Sequence, residues 1–495
     1  ALNLHYRSFP AKLIKEAGGD AGKTFEYFLV DSWECMLQNW TDNFEQEFKK
    51  RRGYSMIPYL PVLCGEVVTD IPTSEAFLHD YRSTIADLIG EYYFKHLADL
   101  CHRSGMKFYG EGIYGGVIYP PLDILKAYKY FDVPMTEFWA RFNAVDTPYV
   151  YVPSGVMNHN LVSHAAFLYH KPLLGAESYT GLALYSDSPW DIKLYADNVF
   201  AQGVNQVFLH SYVHQPNERK PGLTLGVYGL AFNRHNTWWP FAGSYFTEQA
   251  RVQYLLQRGT ATPQVLIYQG DEMPFDQFKP GKNQLAPGIT YNYCNWDILA
   301  SHLSVKDGRI WLDNQSSFAF MILPDEKLEL RTLERIAQLV TEGAIIYGPM
   351  PQTTFTLKDK AANDQKLRTL ADRIFDKAYG RGHFYPLSTL KSSALIPDVQ
   401  LKGIIPDALL TLHKRAGTSE IYELTNTDNF KPVNFEAGFM AGDKNPAIWD
   451  AETGSVTSPC IYTQQKGTTW LPVTLRPKQS LFYVFTAGAG LKRHI

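Results

Sequence analysis

Three glutamates follow apolar, strand-like runs, and their type and placement suit acid–base chemistry. Phe28-Leu29-Val30 gives way abruptly to Asp31-Ser32-Trp33-Glu34, Met106 to Gly110 runs into Glu111, and Pro172 to Ala176 runs into Glu177. A run that is apolar throughout is what a parallel strand covered on both faces shows. Carboxylates delivered at the C-terminal ends of such strands can meet across one pocket. Paired carboxylates of this kind cleave glycosidic bonds: one protonates the leaving oxygen, and the other activates water or attacks the sugar. Burial raises the pKa of one of the two and so divides the roles. Any one glutamate could equally cap a helix or pair with a surface lysine, but three repeats of one pattern are hard to assign to packing.

Around these acids lie residues that could bind a sugar. Asp31 and Trp33 sit beside Glu34, and Asp132-Val133-Pro134-Met135-Thr136-Glu137-Phe138-Trp139 is a further acidic and aromatic stretch, read as a short strand or strand-end loop. His210 and His214 flank Tyr212 after the run Gln206–Leu209, and Asn236 precedes the paired Trp238 and Trp239. The histidines lack an HExxH context, so hydrogen bonding to sugar hydroxyls or a structural role suits them better than zinc. No GxSxG elbow supports a serine nucleophile. Aromatic residues make up 14% of the chain, an excess that suits stacking on sugar rings as well as large cores.

The elements that must position these residues alternate. Helical patterns cover Phe9–Ala17, a stretch from Thr41 to the basic run Lys49–Arg52 and Gly53, Ser74–Arg103 with Gly90 as a divider, Asn158–His170 and Trp190–Gln202. The acids of the first turn and the bases of the last suit the helix dipole, and Gly53 suits the C-cap; the basic run itself reads as a solvated face. Strands alternating with helices of this size imply a parallel sheet, and the acid-bearing strand ends favour a barrel. About five such strands are legible before residue 260. From there to about residue 390 the rhythm is that of a small open, flavodoxin-like α/β domain without a GxGxxG or P-loop. Short alternating runs such as Glu420–Leu424 and Ser480–Phe485 then suggest an antiparallel β-sandwich. The expected domains are 1–260, 261–390 and 391–495.

At 495 residues the chain is too long for a single core. A net charge of -3 supplies no basic footprint for nucleic acid. The five scattered cysteines form neither a CxxC nor a zinc spacing, so a disulfide framework or structural zinc is not expected. No apolar run approaches the length of a membrane span. Ala1 opens the chain without a signal-peptide pattern, as a mature or trimmed product would.

Asp31 to Glu34 (DSWE), Gln38 to Tyr54 (QNWTDNFEQEFKKRRGY) and Leu60 to Val68 (LPVLCGEVV) together resemble glycoside hydrolase family 106. DVPMTEFW (Asp132 to Trp139), GAESYT (Gly175 to Thr180), FLHSYVHQP (Phe208 to Pro216), NTWWP (Asn236 to Pro240) and IWDAETG (Ile448 to Gly454) continue the resemblance in order over nearly the whole chain. The resemblance implies an inverting α-L-rhamnosidase with calcium at the sugar. By position, Glu34 is the general acid and Glu177 the general base, their carboxyls about 6.5–9.5 Å apart to leave room for water. Glu111, Asp132 and Glu137 are the candidates for calcium, which takes hard oxygen ligands, and Glu111 also for the sugar. His210 and His214 would line the rhamnose subsite, with Asp31, Trp33, Trp139, Asn236 and Trp238 as further substrate contacts. The fold implied is a (β/α)8-type barrel, then the α/β domain and the sandwich. Family members carry a long region ahead of the DSWE strand, whereas 24 residues precede Phe25 here. The chain is therefore a fragment, a barrel completed by another segment, or a reduced variant. A rhamnose-containing glycan is the expected substrate, and the expected location is periplasmic or secreted. A retaining β-galactosidase-like hydrolase and a non-catalytic carbohydrate-binding remnant are the competing readings.

Overall fold

The computed structural model describes residues 1–33, 38–112, 121–141, 159–182, 184–274, 285–376, 379–391, 395–403 and 408–487. They form two compact units, each discontinuous in sequence: 1–132 with 263–395, and 133–262 with 396–495. Both units therefore draw on the first 260 residues.

In the first unit β1 (Tyr27–Val30) pairs in parallel with β2 (Lys107–Glu111), in register from Tyr27 opposite Lys107 to Val30 opposite Gly110. The approach is close at the end of the pair. A Cβ on Gly110 would stand 1.9 Å from the Val30 carbonyl oxygen, and its φ is +146°, so only glycine fits there. The connection is helical. Phe44–Arg52 ends on Gly53 at φ 78°. Its basic run is a solvated face only in part: Lys49 and Lys50 are exposed, but the Arg51 guanidinium spans both oxygens of Glu91 at 3.0 and 2.7 Å, and Arg52 donates to Thr84 and Asp87. The long helix expected over 74–103 runs as Ile71–Ile89, a π-helical turn Gly90–Lys95 and His96–Arg103. Asp70 starts it by accepting from the Thr73 N–H at 2.7 Å.

The same unit holds an open, all-parallel sheet of β6 (Val265–Tyr268), β7 (Tyr291–Cys294), β8 (Phe320–Ile322), β9 (Ile345–Gly348) and β10 (His383–Pro386). Their spatial order is β7-β6-β8-β9-β10, so the chain reverses direction between β6 and β8. The central strands are wholly apolar, and Val265 to Tyr268 together with Met321 and Ile322 are fully buried. Helix Leu330–Glu342 covers one face through Leu333, Ile336, Leu339 and Val340 and ends on left-handed Gly343.

In the second unit β3 (Val133–Arg141), β4 (Gly175–Gly181) and β5 (Gln206–Leu209) pair in parallel. Helices His159–Leu168 and Pro189–Phe200 connect them, and Ala242–Leu256 follows. The antiparallel sandwich packs Val399, Phe435, Phe439, Leu471 and Val473 of one sheet against Tyr422, Leu424, Tyr483 and Phe485 of the other. Among the described residues the barrel region thus supplies two parallel strands to one unit and three to the other, and no closed eight-stranded barrel. No helix among them is long and apolar enough to cross a membrane.

Candidate active site

Strand β4 carries the acid with the most elaborate surroundings. It begins at Gly175 and runs on to Gly181, so Glu177 lies within the strand rather than at its end. The parallel register sets Glu177 directly opposite Glu137 of β3, which puts both carboxylates on one face of the sheet. Beyond them the register slips between Phe138 and Trp139. Tyr179 absorbs the slip at φ 70°, a strained setting for a bulky side chain. The ring of Tyr179 is fully buried, and its hydroxyl meets that of Tyr245 at 2.6 Å. Burial pushes the Tyr179 phenol well above its ordinary range. Behind the strand Lys193 is enclosed between Asp197 at 2.6 Å and Glu248 at 2.8 Å, joining the two helices that back the sheet.

Glu177 is held at one oxygen. The Thr180 hydroxyl donates to its Oε1 at 2.5 Å, and His210 Nδ1 stands 3.6 Å from the same atom. The His210 N–H donates to the Ser178 carbonyl, which ties the end of β5 to β4. A loop clamps that histidine: Leu230 N–H bonds the His210 carbonyl, Gly229 N–H bonds the Gly181 carbonyl, and a Cβ on Gly229 would lie 3.1 Å from His210 Nδ1. Glu137, 6% exposed, accepts the Trp139 indole N–H at 2.6 Å, and Tyr228 meets the Trp139 ring edge-on at 6.1 Å. The arrangement can hold one carboxylate ready to take a proton, with aromatic surface beside it.

In the first unit Asp31 follows β1 and Glu111 ends β2. One carboxylate oxygen of each lies within 4.8 Å of the other; Asp31 is exposed and Glu111 buried. Two hard oxygen donors at this spacing fit a calcium ion. Asp132 is not part of this pair. It accepts the Phe108 N–H at 2.7 Å and the His102 ring at 2.8 Å, at a level of β2 three residues before Glu111.

The other expected contacts separate. Trp33 packs edge-on against Tyr93 at 4.7 Å. Asn236 is buried and donates to the Ala231 carbonyl, and the Trp238 indole donates to the Asp187 carbonyl, so both brace their loop. His214 is exposed. Glu34 lies outside the described residues. Thr180, Tyr228 and Gly229 were not singled out from the sequence. Thr180 lies inside the GAESYT motif, three residues from Glu177, and that was its available signal.

The α-L-rhamnosidase family model of glycoside hydrolase family 106 matches residues 1–464. The chain belongs to this family. A rhamnosidase from Novosphingobium sp. PP1Y has a similar structure, with TM-score 0.86 and 27% identity over 99% of this chain and 48% of that one. A protein of Formosa agariphila described as a putative beta-glucuronidase is 30% identical over 100% of this chain and 41% of its own length. The chain therefore spans less than half the length of these relatives. A β-galactosidase from Bacillus circulans sp. alkalophilus shares the fold at TM-score 0.59 and 13% identity.

Proposed function

We propose that the chain is the catalytic part of an inverting α-L-rhamnosidase that removes rhamnose from a polysaccharide or oligosaccharide. The observation that carries this reading is the setting of Glu177 in a member of the rhamnosidase family: one oxygen held by the Thr180 hydroxyl with His210 Nδ1 3.6 Å from it, the carboxylate facing Glu137 across the sheet. Glu177 is the general base that takes a proton from the attacking water, and Glu34 the general acid that protonates the leaving oxygen. The Thr180 hydroxyl and the His210 ring orient the base. Asp31 and Glu111 would hold a calcium ion, which supplies an electropositive anchor for sugar hydroxyls; Asp132, engaged by Phe108 and His102, does not fit that role. A further segment of the polypeptide, or a partner, would complete the barrel.

Because Glu137 and Glu177 stand opposite each other on one face of adjacent strands, a retaining mechanism, which needs two carboxyl groups only ~5–5.5 Å apart, is the second reading. A second substrate, a β-glucuronide, follows from the name of the Formosa relative. Proton NMR of the anomer first released from aryl α-L-rhamnoside and aryl β-D-glucuronide, with and without a calcium chelator, separates these readings. Inverted rhamnose, lost on chelation, is expected; retained product or glucuronate release would replace the proposal.

A further inference from the structure

Away from these carboxylates, the first unit contains a cleft of about 410 Å³ at the carboxyl ends of β6 and β8. That volume is within the ~300–1,000 Å³ of ligand pockets. The position is the one where an open parallel sheet takes its ligand, at the reversal of strand order. Gln269 and Asp271 follow β6, Glu329 caps helix Leu330–Glu342, and His79 enters from helix Ile71–Ile89.

His79 makes the strongest case. It is 9% exposed, its ring stacks on Phe355 at 4.7 Å, and its Nδ1 has no hydrogen-bond partner in the protein. A buried polar atom left unpaired destabilises the fold, so a group that satisfies it is expected. Burial and the nearby cations hold the imidazole neutral, lowering its pKa to about 3, so it can accept at one nitrogen and donate at the other.

The charges of the wall narrow the ligand class. Arg51, Arg52 and Lys126 are neutralised by Glu91 and Asp87. Arg331 stacks on Trp296 at 4.5 Å, and among the described residues neither it nor Lys358 forms an ion pair. Burial raises the pKa of Asp80 and Asp271 and brings Glu329 to about 7, while Asp80 accepts from Tyr54, Thr356 and Leu357, and Asp271 from Tyr268, Glu329 and Thr332. An anion here would face Asp80, Asp271 and Glu329; a cation would face Arg52, Arg331 and Lys358. Dense donors and acceptors of both signs beside an indole suit an uncharged polyol.

We infer that this cleft binds a neutral sugar unit, at a site separate from the Asp31–Glu111 pair and from Glu177. The inference does not rest on rhamnoside hydrolysis. Hydrogen–deuterium exchange on the full chain tests it, with L-rhamnose, D-galactose and D-glucose as probes and D-galacturonate and inorganic phosphate as charged controls. A neutral sugar should slow exchange several-fold in segments 76–90 and 326–333. Trp296→Ala and Asn363→Ala should each abolish that protection while leaving turnover of an aryl rhamnoside unchanged. Asn363 is half-exposed on the rim, so its variant serves if Trp296→Ala does not fold. Absence of protection, protection by galacturonate or phosphate alone, or protection that survives in both variants would overturn the inference.

Discussion

Strands β3 and β4 of one unit and β6 and β8 of the other are all parallel and all covered, yet β3 and β4 set polar groups among apolar ones such as Met135, Phe138, Ala140 and Ala176. Val265-Leu266-Ile267-Tyr268 and Met321-Ile322 bury only apolar bodies and one phenol. At equivalent depth β3 and β4 bury Thr136, Glu137, Ser178 and Thr180, with Glu177 alongside. Burying polar groups costs stability unless each is paired, and the pairing is there: Trp139 on Glu137, Thr180 on Glu177, and the Ser178 hydroxyl on the Ala176 carbonyl. A strand that only had to pack would read like β6. The difference therefore marks β3 and β4 as strands whose composition is set by chemistry rather than by the core.

That contrast can be broken from either side. The largest effect is expected from Glu177→Gln, which should lower kcat for an aryl rhamnoside by about 10³-fold, as loss of a general base does, with Tm unchanged or higher. The converse is Ile267→Ala in β6: unfolding free energy falls by about 2–5 kcal/mol in urea titrations, while kcat per folded molecule is unchanged. Stability lost with Glu177→Gln, or activity lost with Ile267→Ala in folded protein, would remove the distinction.

A third variant sharpens it at a polar residue with no assigned chemistry. Glu423 of the sandwich is buried without a well-formed hydrogen bond to either oxygen, and burial with the nearby Asp197 charge, against a weaker Thr425 contact, pushes its pKa up to about 8. Its unfolded value is about 4.3, so the folded state binds the proton more tightly. Stability is then full below about pH 4 and declines as pH rises toward about 8. Glu423→Gln should remove that decline and raise stability near pH 8 by roughly 2 kcal/mol, measured by urea unfolding across pH. A stability–pH curve unchanged by the substitution would contradict this.

The smallest effect is expected at Thr180. Thr180→Val removes one hydrogen bond to Glu177 and should lower kcat about tenfold, equivalent to about 1.4 kcal/mol, with KM unchanged and Thr180→Ser restoring activity. An effect on Tm alone would make Thr180 a packing residue.

Much of this was legible in the chain. The apolar run Phe28–Val30 lies in a strand, and the basic run closing on Gly53 ends a helix, because these depend on neighbours in sequence. What the run did not disclose was its partner: Arg51 and Arg52 read as solvated and instead join acids on a helix three dozen residues away. Trp238 and Asn236 looked like sugar contacts by type, but their donors go to backbone carbonyls, that of Asp187 ahead of helix Pro189–Phe200 and that of Ala231 in the same loop. Asp132 looked like a calcium ligand by type and is a brace for Phe108 and His102.

By itself, then, the sequence determined which residue types stand on which strands, and the ordered series of motifs from DSWE to IWDAETG pointed to the family. Only the tertiary structure decided that Glu177 faces Glu137, that Thr180 holds one of its oxygens with His210 nearby, and that Asp31 rather than Asp132 accompanies Glu111. The reason is physical. Apolar periodicity specifies that a strand is buried, but a carboxylate's role depends on register and on donors brought from other strands. Those are fixed when the sheets pair and the loops close over them.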